Sequence, residues 1–159
     1  MAAARLSRAA GAGRAGAAAT GAGVGAGAGA GAGLHGGGER AGPAPRGPYS
    51  AGIRAGNLLF VSGQIAIAPD GRSLADADLE TQARQCLANL RAVLEAGGAT
   101  LQHVAKVTVY MAEPDGWPLF NRLYAEFFGA HRPARAIVPV PAFPGGFKVE
   151  IDAVAVLPD

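Results

Sequence analysis

Pro133-Ala134-Arg135-Ala136-Ile137-Val138 and, beyond Phe143-Pro144-Gly145-Gly146, Phe147-Lys148-Val149-Glu150-Ile151-Asp152-Ala153-Val154-Ala155-Val156 form a pair of β-branched runs with period-two alternation. That pattern predicts two β-strands joined across a Pro/Gly turn or short loop. In the second run Phe147, Val149, Ile151, Ala153 and Ala155 share one face, apolar throughout, which is expected to be core. The other face starts charged, with Lys148, Glu150 and Asp152, and ends apolar, with Val154 and Val156. A purely solvated face has no need of that apolar end, so the pattern predicts burial against another subunit with Glu150 near the rim. Arg135, alone in an apolar strand, is the second candidate for a half-buried charge.

Upstream of this pair the same reading yields three more strands and two helices. Tyr49 to Arg54 and Leu58 to Ile67 are predicted strands separated by the turn Ala55-Gly56-Asn57. In the longer one Leu59, Val61 and Ile65 are assigned to one face, and Phe60, Ser62 and Gln64 to the other. Leu79, Ala83, Cys86, Leu87, Leu90, Val93 and Leu94 recur at helical spacing, with Asp76 or Asp78 available as the cap and Gly97-Gly98 as the stop. Cys86 lies inside that stripe, which suits a small core residue better than a nucleophile. Lys106 to Met111 is a further strand, followed by a second helix opening at Pro114 to Pro118. That helix buries Phe120, Leu123, Tyr124, Phe127 and Phe128 and stops at Gly129. The order β-β-α-β-α-β-β predicts an α+β fold, a mixed sheet with two helices on one face. Its other face, with Phe60, Thr108, Tyr110, Val154 and Val156, is left for self-association.

Composition divides the chain. Residues 11–38 are almost all Gly and Ala and offer no side chains to offset backbone ordering, so disorder is expected there. Residues 1–45 are therefore assigned to a low-complexity tail or targeting segment, and 46–159 to one folded domain. The first 40 residues hold four arginines against Glu39, which leaves ten basic and eleven acidic residues and a formal charge of −1 for the rest. A domain so balanced has no basic surplus for a phosphate backbone, which argues against nucleic acid as a partner. No apolar run approaches the ~20 residues that span a bilayer, so no membrane partner is expected. The single cysteine forbids an intramolecular disulfide and suits a reducing, cytoplasmic location, with organellar import through the tail as the alternative.

The chemistry-bearing residues leave alternatives open. The planar guanidinium of Arg135 suits a two-pronged grip on a carboxylate, and equally an ion pair with an acid such as Glu150. Glu150 suits holding a water and moving protons, or pairing with Lys148. Tyr49 offers a hydroxyl and a ring wall. Ser62 stands beside Gly63, which permits close approach to backbone, and no Ser/His/Asp set accompanies it. Asn121 lies off the apolar stripe of its helix. His35, His103 and His131 are dispersed, so neither a metal nor any other cofactor is expected.

Four motifs in order, Gly47-Pro48-Tyr49-Ser50, Val61-Ser62-Gly63-Gln64-Ile65, Phe120-Asn121-Arg122-Leu123-Tyr124-Ala125-Glu126-Phe127-Phe128 and Pro133-Ala134-Arg135 with Lys148-Val149-Glu150-Ile151-Asp152, resemble the RidA/YjgF/UK114 family of imine deaminases over residues 46–157. The resemblance implies a YjgF-like, chorismate-mutase-like fold assembled as a homotrimeric barrel with clefts between subunits. It implies a cofactor-free hydrolase converting reactive 2-imino or enamine acids to 2-keto acids and ammonia, which spares pyridoxal-phosphate enzymes. Arg135 would anchor the substrate carboxylate and Glu150 would handle water and protons. Tyr49, Ser62, Gly63, Asn121 and the backbone at Ile137 would line the cleft. Many relatives carry Cys where this chain has Ile137, so a thiol contribution is missing. The alternative is a non-catalytic trimer that binds small carboxylates or ketoacids and regulates a partner. On either reading Arg135 and Glu150 are expected to face one crevice completed by a neighbouring copy.

Overall fold

The fold is laid out by a sheet whose strands are β1 (Ala32–Leu34), β2 (Gly52–Ala55), β3 (Leu58–Gln64), β4 (Val104–Met111), β5 (Ala134–Pro139) and β6 (Val149–Val156). Two helices, α1 (Leu79–Ala96) and α2 (Trp117–Phe128), lie on one side of it. This computed structural model describes residues 32–34 and 42–158. Most of the tail assignment, His35 included, lies outside the described residues. The sheet order is β1-β2-β3-β6-β4-β5, antiparallel except for the parallel pair β4/β5. The C-terminal strand β6 therefore enters the middle of the sheet between β3 and β4, and β5 forms an edge.

Local chemistry explains the helices. Asp78 caps α1 by accepting from the Thr81 backbone N–H at 2.8 Å, and that bond holds its carboxyl below the usual carboxylate range. Past the helix end Gly98 takes a φ of +80°, which a side chain would strain. The predicted stripe of α1 is buried throughout, with Leu90, Leu94, Ala83 and Cys86 fully enclosed. Burial drives the Cys86 thiol well above its ordinary pKa, as befits a core residue. Phe120, Leu123, Tyr124 and Phe128 of α2 complete the core over Val107, Val109, Met111, Val149, Ile151 and Ala153. Among the described residues the opposite sheet face carries no helix. Phe60 and Val156 stand 45% and 41% exposed there, an apolar surface left open by the chain itself.

Several boundaries differ from expectation. The strand predicted over Leu58 to Ile67 ends at Gln64, because the β3/β6 register shifts between Val61 and Gln64. The irregularity turns Gln64 into the interior and leaves Ile65 only half-buried, the reverse of strict alternation. Strand β2 starts at Gly52 rather than Tyr49, β4 starts two residues before Lys106, and Phe147 and Lys148 precede β6. The turn before β6 is a short 3-10 segment, Pro144–Gly146, with positive φ at Gly145 and Gly146. Within the Gly/Ala stretch where disorder was expected, Ala32–Leu34 pairs with Arg54–Gly52 along the free edge of β2. Backbone hydrogen bonding to an open edge needs no side chains, which is why composition did not foretell it.

Candidate functional site

Sheet register sorts the candidate residues into two groups. On β5 Arg135 is directly beside Val107 of β4, and Val107 is fully buried under the helices. Partnered residues of neighbouring strands share a face, so Arg135 is on the helix-covered side. Glu150 of β6 is beside Tyr110, three residues along β4 and hence on the open side. The expectation that Arg135 and Glu150 face one crevice completed by a neighbouring copy is corrected within the chain: a single copy holds them on opposite faces. Odd spacing along β4 is the physical reason.

The helix-side group is built on α2 and β5. An Nη2–H of Arg135 donates to Asn121 Oδ1 at 2.9 Å, and the guanidinium carbon sits 4.5 Å from the centre of the Tyr124 ring. Asn121 and Tyr124 are one helical turn apart, so both reach the same strand residue. Among the described residues Arg135 makes no ion pair, which removes the reading in which it clamps Glu150. A cleft of about 340 Å³ lies here, with Asn121, Tyr124, Phe128, His131, Arg132 and Arg135 in its wall. The His131 ring is bonded to the Val104 carbonyl at 2.7 Å, and Arg132 donates to the carbonyls of Gly129 and His131 at the end of α2. Both are thus occupied structurally. Ile137 lies on the same face of β5, packed against the core beside Val109.

The open-face group is built on β3 and β6. Tyr49, Ser62, Gly63, Ile65 and Glu150 surround a hollow of about 370 Å³. The Glu150 carboxylate lies over Gly63 so closely that a Cβ at 63 would overlap it. Partial burial, reinforced by the negative charge of Asp152, raises the Glu150 pKa above the ordinary carboxylate value. Lys148 pairs with Glu113 instead, so Glu150 is not its partner. The Ser62 hydroxyl donates to the Ser50 carbonyl at 2.7 Å, which commits its proton and ties the Tyr49-Ser50 segment to β3. Tyr49 is 52% exposed, and its hydroxyl accepts the Arg46 backbone N–H at 3.3 Å. Nearby on the open face Tyr110 donates to Asp152 at 2.9 Å, the main reason its own pKa is raised.

Three contributors escaped the sequence reading. Gln82, fully buried, donates to the carbonyls of Ala75 and Ala77 and accepts the Lys148 N–H at 2.9 Å, two residues from Glu150. Asn89, 1% exposed, donates to the carbonyls of Ile65 and Ile67, which hold the chain leaving β3. Their signal was a polar residue inside an apolar helical stripe. Tyr124 is expected from its spacing to be core alone; its i, i+3 relation to Asn121 is the available clue. A separate hollow of about 470 Å³ between α1 and α2 contains none of the candidate residues. Among the described residues no three His, Cys, Asp or Glu side chains are grouped to hold a metal, and no helix is long and apolar enough to cross a membrane.

Known proteins share this architecture. The sequence profile described as Endoribonuclease L-PSP matches residues 39–157. A RutC family protein of Pyrococcus horikoshii, PH0854, is 45% identical over 113 residues, covering 71% of this chain and 90% of the relative. Reactive Intermediate Deaminase A, chloroplastic, of Arabidopsis thaliana is 37% identical over 115 residues, 72% of this chain and 62% of that protein. Among solved structures, the YjgF gene product of E. coli superposes with a TM-score of 0.69 at 37% identity, covering 75% of this chain and 95% of its own. E. coli TdcF with bound serine gives 0.70 at 34% identity, with the same coverage.

Proposed function

The chain belongs to the YjgF/RidA family described as Endoribonuclease L-PSP, and from that premise we propose that it hydrolyses reactive 2-imino acids and their enamine tautomers to 2-keto acids and ammonia. The observation that carries the proposal is Arg135. It is a half-buried guanidinium held by an amide and an aromatic ring, with no carboxylate partner of its own among the described residues. Such a fork is ready for the carboxylate of a ligand.

In this reading the substrate carboxylate bonds to Arg135, and its C=N carbon meets the open-face group of a second copy. Glu150, in its ionised form, takes a proton from water as the oxygen bonds to C2 of the N-protonated imine and the C=N electron pair moves to nitrogen, giving a carbinolamine. Glu150 returns that proton to the amine nitrogen and then takes the hydroxyl proton as C=O forms; the C–N bond breaks, ammonia leaves with the bonding pair and picks up that proton as ammonium. An enamine must first take a proton at C3. A raised pKa suits a carboxyl asked both to accept and to donate. The Tyr49 ring walls the hollow, the Ser62 oxygen keeps its lone pairs free to accept, and Gly63 leaves room for Glu150.

Because one chain separates the two groups, the reading requires a homo-oligomer, for which we propose the trimer. The uncovered apolar sheet face supports it. The relative named Reactive Intermediate Deaminase A supports the chemistry. The family's description as an endoribonuclease finds less support, since the domain's formal charge of −1 provides no basic track for RNA. A reducing, cytoplasmic location rests on the single cysteine. Organellar import through residues 1–45 is the alternative, and imaging a fluorescent fusion separates the two.

The test is loss of imine absorbance when 2-iminobutanoate is generated by a dehydratase in the cuvette. The wild-type protein should accelerate the decay, and Arg135→Ala should not, while keeping its oligomeric mass. A variant that turns over normally removes the proposed site.

A further inference from the structure

The geometry points to Tyr124 as a positioning residue for the carboxylate site, acting through its ring on the guanidinium of Arg135. This inference rests on the proposed role of Arg135 in gripping a substrate carboxylate.

Arg135 is an edge-strand side chain with several rotatable bonds, and without support its fork would sample many orientations. Two contacts fix it, neither of which neutralises it. Asn121 takes one Nη2–H at 2.9 Å, which sets the rotation of the fork in its plane. The Tyr124 ring lies 4.5 Å from the guanidinium carbon, which sets the tilt of that plane and stabilises the charge through the ring's π-face. An acid in either place would compete with the ligand for the same hydrogen bonds. The ring does not compete, because it meets the cation through its π-face and brings no carboxylate to the fork.

Tyr124 is itself held firmly. It is 7% exposed, with the Phe120 and Phe128 rings at centroid distances of 6.0 and 4.6 Å. Its hydroxyl is buried and has no hydrogen-bond partner among the described residues. Burial raises its pKa to about 12, against the opposing pull of Arg135, so the ring stays neutral at physiological pH. A phenylalanine would fill the space without an unpaired hydroxyl. The hydroxyl nevertheless feeds electron density into the ring, which strengthens its hold on a cation.

The experiment replaces Tyr124 by Phe, then by 3,5-difluoro- and pentafluorophenylalanine, in the full chain. These side chains are nearly equal in shape and differ in ring charge distribution. Two readouts are taken: the dissociation constant for 2-oxobutanoate as the carboxylate probe, and KM against kcat for 2-iminobutanoate hydrolysis. We expect both constants for ligand to rise along the series, by about tenfold from Phe to pentafluorophenylalanine, with kcat changing much less. Melting temperature monitors the fold and should not follow the series. A flat series, or no 2-oxobutanoate binding and no KM trend, overturns the role of Tyr124. Wild-type protein that hydrolyses imine while the series is flat keeps the proposed function and loses this inference. Graded binding by a protein without hydrolysis keeps this inference and removes the function.

Discussion

The two half-sites handle charge in opposite ways. On the helix side Arg135 stands on an edge strand and is supported by neutral groups, Asn121 and Tyr124, that orient it and leave its charge unpaired. On the open side Glu150 stands on a central strand over a glycine, where partial burial and then the nearby carboxylate of Asp152 make ionisation harder. The first arrangement favours holding an anion in place. The second favours a group that exchanges protons. Their separation across the sheet means that, on the proposed reading, one chain cannot complete the site and a second copy must supply the other half.

The largest effect should come from mixing defective copies. Arg135→Ala and Glu150→Gln proteins should each be inactive alone. Mixed in equal amounts and reassembled as trimers, they should regain about a quarter of wild-type activity, since each mixed trimer contains one intact pairing. No recovery, with mixed trimers confirmed by mass, would place both groups in one chain's site and break the comparison. Gly63→Ala comes next. The new methyl group displaces the Glu150 carboxyl end, and we expect kcat to fall by about tenfold or more. Binding of 2-oxobutanoate to an Arg135 site is expected to change little in that variant, as titration calorimetry can show.

Gln82→Ala removes the brace at the start of β6 and leaves two carbonyls and the Lys148 N–H to find other partners. A loss of about 1–3 kcal/mol in denaturant unfolding is expected, with kcat reduced more than carboxylate affinity. Asp152→Asn should give the smallest change. Removing that negative charge takes away the smaller of the two causes that raise the Glu150 pKa, so the acid limb of the pH–kcat profile shifts to lower pH. The limb is the fall in activity as Glu150 is protonated on acidification. The stability sign is separate. A carboxyl whose folded pKa exceeds its unfolded value stabilises the fold below the ordinary carboxylate range, and that contribution fades as pH rises through the raised value. A limb that moves upward in Asp152→Asn counts against this electrostatic account.

Much of this was already present in the pattern of residue types. Local pattern marked both helices, a cap at Asp76 or Asp78, the stop at Gly97-Gly98 and the core face of β6, because burial and backbone geometry act over a few neighbouring residues. Motifs marked Arg135, Glu150, Tyr49, Ser62, Gly63, Asn121 and Ile137 as candidates, because side-chain chemistry is written in the residue itself. Local pattern missed the register shift that reverses Gln64 and Ile65, since a bulge depends on the facing strand. It also missed the pairing of Ala32–Leu34 with β2, which backbone groups alone can make.

Residue pattern alone was enough for both helices, for five of the strands with most of their buried faces, and for the side chains that carry usable chemistry. The folded chain was needed to show that Arg135 and Glu150 lie on opposite sides of one sheet, that Gln82 and Asn89 brace the loops beside Glu150, and that a tyrosine ring supports the guanidinium. Those facts depend on how β4 aligns with β5 and β6, a relation between segments far apart in the chain that no local spacing encodes.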